Sequence, residues 1–163
     1  MSADLPRSFK IVTFWLVLGA LVFVGVQWFA HRQQQSSVRI DGSVIDIERA
    51  RDGHYYWPGT LNGRDVRFLI DTGASGTAIP AALARELGLT SEGEVRSSTA
   101  GGIVTGRIVR ADITLRGGVR ADRQRTVALD GLDEHPLLGM DLLGKMRWQQ
   151  LDGVLRIDLS AAR

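Results

Sequence analysis

The chain has 163 residues, of which 44% are apolar, and it carries a formal charge of +2 and no cysteine. This length favours one folded domain and argues against an enzyme built from two duplicated lobes. The absence of cysteine excludes disulfide bonds, thiolate nucleophiles and cysteine-ligated zinc, and it leaves the redox compartment open.

The net charge lies entirely at the amino terminus. The first 32 residues hold three basic side chains and one acidic one, whereas the rest of the chain holds 17 of each sign. The balanced part has no net-basic field to attract nucleic acid, and no aromatic residues alternate with arginine there to stack on bases. We therefore expect no nucleic-acid partner.

An uncharged stretch of 20 residues extends from Ile11 to Ala30. As a helix it would be about 30 Å long, which matches the hydrocarbon core of a bilayer. A cleavable signal peptide is the alternative, but its apolar core usually has about 7 to 15 residues, and no small-x-small cleavage site precedes His31. The stretch therefore predicts a transmembrane anchor in a lipid bilayer. Basic residues flank it on both sides, so the positive-inside rule leaves the topology open.

The segment after the anchor is polar, because residues 33–37 read QQQSS and offer nothing to bury. We expect four segments: a tail at 1–10, the anchor at 11–30, a linker at 31–37 and a folded domain at 38–163.

The domain has the sequence pattern of a mainly β fold, with short alternating apolar runs separated by glycine, asparagine and aspartate. Asn62-Gly63 and Asp152-Gly153 each predict a hairpin, because these dipeptides readily adopt the positive φ angles of a type I′ turn. The runs that flank the two turns are 54–61 with 66–70, and 148–151 with 154–159.

One short helix is predicted that begins with Pro80 at its first position, continues over 81–87 and is terminated by Gly88. Three further short strands are predicted at 104–109, 111–115 and 126–129.

The motif FLIDTGAS at 68–75 is the candidate catalytic site with the most functional side chains close together in sequence. Three apolar residues lead into Asp71, which places its carboxylate where a buried strand leaves the core. Thr72 offers a hydroxyl, and Gly73 permits a tight turn whose N–H is free to hold a carboxylate. By itself the tripeptide Asp-Thr-Gly indicates no more than a turn after a strand.

A second motif, PLLGMDLL at 136–143, begins about 65 residues after Asp71. Together the two motifs resemble the signatures of retropepsin-like aspartic proteases, the single-lobed relatives of pepsin. The resemblance covers about residues 52–159 and implies a closed, mainly β barrel with one or two short helices. It also implies that Leu137, Leu138 and Gly139 pass behind the catalytic loop, where the glycine lets two chain segments cross closely.

The resemblance implies a role for each of residues 71–75 of the first motif. Asp71 is the expected catalytic carboxylate, and Thr72 is expected to brace two such loops against each other. Gly73 and Ala74 support the loop, and Ser75 is expected to hydrogen-bond the outer oxygen of Asp71. The family's flap, a hairpin that closes over substrate, corresponds by position to Thr99, Ala100, Gly101 and Gly102.

Aspartic proteases need two carboxylates a few ångströms apart, one ionised to activate water and one protonated. Only one Asp-Thr-Gly occurs here, so the second aspartate must come from another copy of the chain. We therefore expect a homodimer that hydrolyses a polypeptide substrate and needs no metal or organic cofactor.

The resulting expectation is a membrane-anchored homodimeric aspartic endopeptidase. The anchor further resembles membrane-tethered bacterial members of the family, which places the protein in a bacterial inner membrane with its domain in the periplasm. The alternative is a non-catalytic module of the same fold that binds a peptide or acts as a scaffold.

Overall fold

A computed structural model describes residues 7–32, 36–99 and 102–161 of the chain. The chain divides into two compact units, Met1–Gln35 and Ser36–Arg163. The first contains helix α1, Arg7–Arg32, and the side chains of residues 12–26 in it are exposed. Among the residues that the structure describes, no helix is both long and apolar enough to cross a membrane. The predicted anchor segment is thus helical, but its assignment as a membrane span is not supported.

The second unit is mainly β and contains eleven strands, two short α-helices and a final 3₁₀ turn within the described residues. The elements in chain order are β1 Val38–Asp41, β2 Val44–Glu48, β3 Tyr56–Leu61, β4 Arg64–Ile70, β5 Ala78–Pro80, α2 Ala81–Glu86, β6 Gly93–Thr99, β7 Gly102–Leu115, β8 Val119–Leu129, β9 Leu137–Leu138, α3 Met140–Leu143, β10 Arg147–Leu151, β11 Val154–Asp158 and the 3₁₀ turn Leu159–Ala161.

The larger sheet closes on itself. Its seven strands follow the order β3-β4-β9-β5-β8-β7-β6, and β3 also pairs with β7. Six strands therefore form a ring, and β6 extends from β7 beyond it. The remaining four strands form a second sheet in the order β1-β2-β11-β10. The predicted closed β-barrel is confirmed.

Both predicted hairpins are present, as β3-β4 and β10-β11. The φ angles are 49° and 82° at Asn62 and Gly63, and 49° and 77° at Asp152 and Gly153. Both central residues of each turn have positive φ, as a type I′ turn requires.

Other boundaries differ from the prediction. The runs 104–109 and 111–115 belong to one 14-residue strand, β7, with a bulge between Ala111 and Ile113. Strand β8 begins at Val119, because its arginine-rich first half pairs with β7 even though it lacks an apolar pattern. Pro80 ends the buried strand β5, so helix α2 begins one residue later. The β1-β2 hairpin was not predicted.

The core fills the barrel and extends to the second sheet. Trp57 and Phe68 face each other in the β3-β4 register, and both are fully buried. The Trp57 indole N–H donates to the Arg116 carbonyl oxygen at 2.8 Å, so its one polar atom is satisfied inside the protein. Ile45 and Ile157 bring the second sheet into the same cluster. This packing fixes the base of β4, the strand that leads to Asp71.

Candidate active site

Asp71 lies directly after β4, where the strand reaches the rim of the barrel. Strands β4 and β9 run parallel, with Ile70 opposite Leu138. The Asp71 N–H donates to the Leu138 carbonyl oxygen at 3.1 Å. The apolar residue before Asp71 therefore pairs with the apolar residue before Gly139, and this pairing positions the Asp71 backbone.

The loop after Asp71 folds back on its carboxylate. The Gly73 N–H donates to Asp71 Oδ1 at 2.9 Å, and the Ala74 N–H donates to the Asp71 carbonyl oxygen at 3.2 Å. Asp71 is half-buried, whereas Thr72, Gly73 and Ser75 are exposed. Gly73 thus has the carboxylate-holding role expected for it. Among the described residues, Ser75 makes no hydrogen bond to Asp71.

The second motif crosses behind this loop. Gly139 has an extended backbone, with φ of −92° and ψ of −179°. A methyl group on Gly139 would overlap the backbone carbonyl of Gly76. One residue later, the Met140 N–H donates to the Ala74 carbonyl oxygen at 2.8 Å. The structure therefore brings the two predicted motifs together at a crossing that only glycine permits.

A polar network behind the crossing was not predicted. Thr77 is 1% exposed, and its hydroxyl donates to Asp141 Oδ1 at 2.8 Å. The Gln124 side-chain amide donates to Asp141 Oδ2 at 2.8 Å. The Gly139 N–H donates to Thr77 Oγ1 at 3.4 Å. Thr77 and Asp141 lie within or beside the two motifs, but nothing in the sequence indicates that Gln124 reaches them.

The expected flap corresponds to the hairpin of β6 and β7. The register extends to Thr99 opposite Gly102, and Gly102 has φ of 113°. Ile103, next to it, is 65% exposed. Ala100 and Gly101, the expected tip, lie outside the described residues.

A second polar cluster lies on the outer face of β3, close to the base of the Asp71 loop. Tyr56 is opposite Leu69 in the β3-β4 register, and its hydroxyl donates to Asp52 Oδ2 at 2.7 Å. Burial would raise the pKa of the Asp52 carboxyl, but hydrogen bonds from Tyr56 and from the His54 N–H outweigh it and lower that pKa. Burial and the Asp52 hydrogen bond raise the pKa of Tyr56 to about 12. The His135 ring lies 5.1 Å from the Tyr56 ring, centroid to centroid.

Comparison with known proteins agrees with this architecture. A family model described as aspartyl protease matches residues 57–142. An uncharacterized protein in the cobV 5′ region of Sinorhizobium sp is 28% identical over 111 residues, which cover 66% of this chain and 48% of that protein. The chain thus spans about half the length of that curated relative.

Among solved structures, a retropepsin-like aspartic protease from Rickettsia conorii superposes with a TM-score of 0.56 at 24% identity. The match covers 76% of this chain and 95% of the other. At this identity the likeness concerns the fold, which is retropepsin-like.

Proposed function

The chain belongs to the aspartyl protease family, and from that premise we propose that it is an aspartic endopeptidase with Asp71 as its catalytic carboxylate. The observation that carries the proposal is the geometry at Asp71. A carboxylate at the barrel rim is held at one oxygen by the Gly73 N–H, while its backbone is fixed by strand β9 behind it. Among the described residues no group hydrogen-bonds to the other oxygen, Oδ2, which can therefore act on a water molecule.

The proposed reaction uses two Asp71 carboxyl groups, one from each of two chains. One is ionised and takes a proton from a water molecule, which attacks the peptide carbonyl carbon. The other is protonated and donates a hydrogen bond to the carbonyl oxygen, where negative charge develops. The tetrahedral intermediate then collapses, its C–N bond breaks, and the leaving nitrogen takes the proton that the first carboxyl group removed from water. Two negative charges so close repel each other, so one carboxyl group keeps its proton while the other acts as the base.

The homodimer is part of this proposal. Its support is that the sequence contains a single Asp-Thr-Gly, and that Thr72, Gly73 and Ser75 are exposed at the loop surface of the isolated chain. A two-fold axis beside the loop would bring two copies of Asp71 together and would cover these residues.

The test uses the full chain, purified in detergent, and a peptide library assayed at several pH values. We expect Asp71→Asn to abolish cleavage and to leave the thermal unfolding unchanged, because the side chain keeps its shape and loses its charge. Asp152→Asn is the matched control. Asp152 lies in a β-turn with φ of 49°, which asparagine adopts readily, so this variant should retain activity.

Unchanged cleavage by the Asp71→Asn chain would refute the proposal. A wild-type chain that binds peptides from the library and cleaves none of them would instead favour the non-catalytic binding module.

Mixing the two chains tests the shared site. If subunits exchange freely, equal amounts of wild-type and Asp71→Asn chain leave about a quarter of the dimers with two aspartates. Activity per dimer should therefore fall to about a quarter of the wild-type value, as measured against total protein. Activity that falls only in proportion to the wild-type fraction would show that one chain is sufficient.

We further propose that the segment 11–30 anchors the protein in a bacterial inner membrane with the domain in the periplasm. The support is in the sequence, where these 20 residues lack charge and fall within helix α1. Two copies held in one membrane would have a raised effective concentration, which favours the dimer. We expect the full chain to stay with membranes after an alkaline carbonate wash and to be digested by protease added to spheroplasts. Release by the wash, or protection in spheroplasts, would contradict the anchor or its orientation.

A further inference from the structure

Asp141 is a half-buried carboxylate whose hydrogen-bond partners are neutral. Thr77 and Gln124 each donate one hydrogen bond to it at 2.8 Å, one to each oxygen. Hydrogen bonds to an ionised acceptor are stronger than those between neutral groups. The carboxylate therefore holds three separate elements together, because Thr77 precedes β5, Gln124 lies in β8 and Asp141 lies in α3.

The network is directly connected to the backbone of the Asp71 loop. Thr77 Oγ1 accepts from the Gly139 N–H as it donates to Asp141, so the hydroxyl is used in both directions. Gly139 is the residue that crosses against Gly76, and Met140 donates to Ala74. A shift of Asp141 would move this crossing, and with it the loop that holds the Asp71 carboxylate.

A β-bulge turns Gln124 towards Asp141. The β7-β8 register passes from Ala111 opposite Gln124 to Ile113 opposite Ala121, so Asp112 faces two residues, Asp122 and Arg123. Before the bulge the less exposed residues of β8 are the odd-numbered 119 and 121, and from 124 to 128 they are the even-numbered 124, 126 and 128. The extra residue therefore moves Gln124 from the outer face to the inner face of the strand.

The bulge is itself held by specific contacts. Arg123 has φ of 49°, and its N–H donates to Asp112 Oδ1 at 2.7 Å. The Asp112 N–H donates to the Asn62 side-chain oxygen at 2.7 Å, and the Asn62 N–H donates to the Asp112 carbonyl oxygen at 2.8 Å. Hydrogen bonds thus join Asn62, Asp112 and Arg123, and Arg123 precedes Gln124, whose side-chain amide donates to Asp141.

We propose that Asp141 is a positioning residue that sets the geometry of the Asp71 loop through Thr77 and Gly139, with Gln124 holding its second oxygen. The inference rests on the proposed protease function, but the contacts that carry it can be tested separately. Asp141 does not touch substrate in this proposal, and its effect reaches the reaction only through the placement of Asp71.

The test, made in the full chain, converts the carboxylate of Asp141 to an amide and the amide of Gln124 to a carboxylate, first singly and then together. Asp141→Asn keeps an oxygen for Thr77 but sets one amide donor against another at Gln124. Rotation of the Gln124 amide would relieve this clash only by breaking its hydrogen bond to the Arg125 carbonyl oxygen at 3.2 Å. We therefore expect kcat to fall about tenfold or more with KM changed less than about twofold. Adding Gln124→Glu to that variant restores a donor facing an acceptor, and kcat should return to within about threefold of wild type. Asp130→Asn, at an exposed carboxylate directly after the same strand and outside the bulge, is the control and should have wild-type kcat.

Gln124→Glu alone provides a pH readout that a merely structural role would not produce. Two carboxylates then face each other and can share a proton only at acidic pH. Activity relative to wild type should therefore be low near pH 7 and recover as the pH falls. This single variant also carries the test if Asp141→Asn fails to fold.

Backbone hydrogen exchange separates this inference from the proposed function. In Asp141→Asn the amides of Asp71, Gly139 and Met140 should exchange at least about tenfold faster than in wild type, and the double variant should restore them. If the wild-type chain cleaves nothing but the two variants show this exchange pattern, the proposed protease function is refuted and the positioning role of Asp141 stands. Unchanged exchange and kcat in Asp141→Asn, or no rescue in the double variant, overturns the positioning role.

Discussion

The two sides of the Asp71 loop differ in whether their polar side chains find hydrogen-bond partners within the same chain. On the outer side, Thr72 and Ser75 are exposed, and among the described residues neither side chain makes a hydrogen bond that fixes it. On the inner side, Thr77 is 1% exposed, and its hydroxyl both donates and accepts. The inner side is complete within a single chain, whereas on the outer side the two hydroxyls have no hydrogen-bond partner among the residues that the structure describes.

This difference separates folding from function. The inner side is built from the barrel itself, because β9 lies between β4 and β5 and carries Gly139 into contact with Gly76. Changes there should reduce the stability of each chain. Changes on the outer side should leave the chain folded and act on its association with a second copy.

The largest effect is expected at the inner side, from Gly139→Ala. Its backbone is extended, so alanine causes no dihedral strain, but the methyl group would overlap the Gly76 carbonyl. Overpacking against backbone should lower the free energy of unfolding by about 3 kcal/mol, measured by urea denaturation, and should abolish cleavage.

Gly76→Ala is the matched control on the other chain segment of the same crossing. The nearest atom to its methyl group is Asp141 Oδ2, at 4.0 Å, which is ordinary contact. We expect less than about 1 kcal/mol of destabilisation. Equal losses in the two variants would show that the crossing is not the cause.

A smaller effect is expected at the outer side, from Thr72→Ala. If Thr72 braces two loops across a two-fold axis, each dimer loses a symmetric pair of hydrogen bonds, worth about 1 kcal/mol each. The dimer dissociation constant from analytical ultracentrifugation should rise at least about tenfold. Thr72→Ser keeps the hydroxyl and should retain wild-type affinity. A Thr72→Ala chain that dimerises as tightly as wild type would remove the bracing role.

The sequence predicts the parts of the site that depend on local chemistry. Asn62-Gly63 and Asp152-Gly153 predict their hairpins because positive φ is a property of those residues, and the observed angles agree. That the second motif passes behind the catalytic loop was expected from resemblance to a family, and in the structure Leu138 lies beside Ile70.

The parts that were missed depend on contacts distant in sequence. Strand β8 begins in an arginine-rich segment, and pairing with β7 along its whole length makes it a strand. Gln124 reaches Asp141 because of a bulge, and the bulge depends on Asp112 and on Asn62, 62 residues before Gln124. An apolar pattern carries no information on such polar contacts.

The smallest expected effect lies at the boundary between the two sides, where Tyr56 is buried beside Leu69, two residues before Asp71. Tyr56→Phe removes the hydrogen bond from its hydroxyl to Asp52, and we expect a loss of about 1 kcal/mol near neutral pH, from urea denaturation. Tyr55→Phe is an adjacent control, since among the described residues the buried Tyr55 hydroxyl has no hydrogen-bond partner. Its removal should cost little or nothing.

The pH dependence of that loss follows from the two shifted groups. The pKa of Tyr56 is raised from 10.0 to about 12, so its contribution is present below pH 10 and is lost as the pH rises towards 12. The pKa of Asp52 is lowered from 3.8, so its contribution is present above that pH and is lost as the pH falls below it. The difference in unfolding free energy between wild type and Tyr56→Phe should therefore be largest between about pH 4 and pH 10 and shrink on both sides.

In the Tyr55→Phe chain, Tyr56 is the one tyrosine left, and tyrosinate absorbance should then rise near pH 12. A rise near pH 10 would show that Tyr56 is neither buried nor bonded to Asp52 in solution.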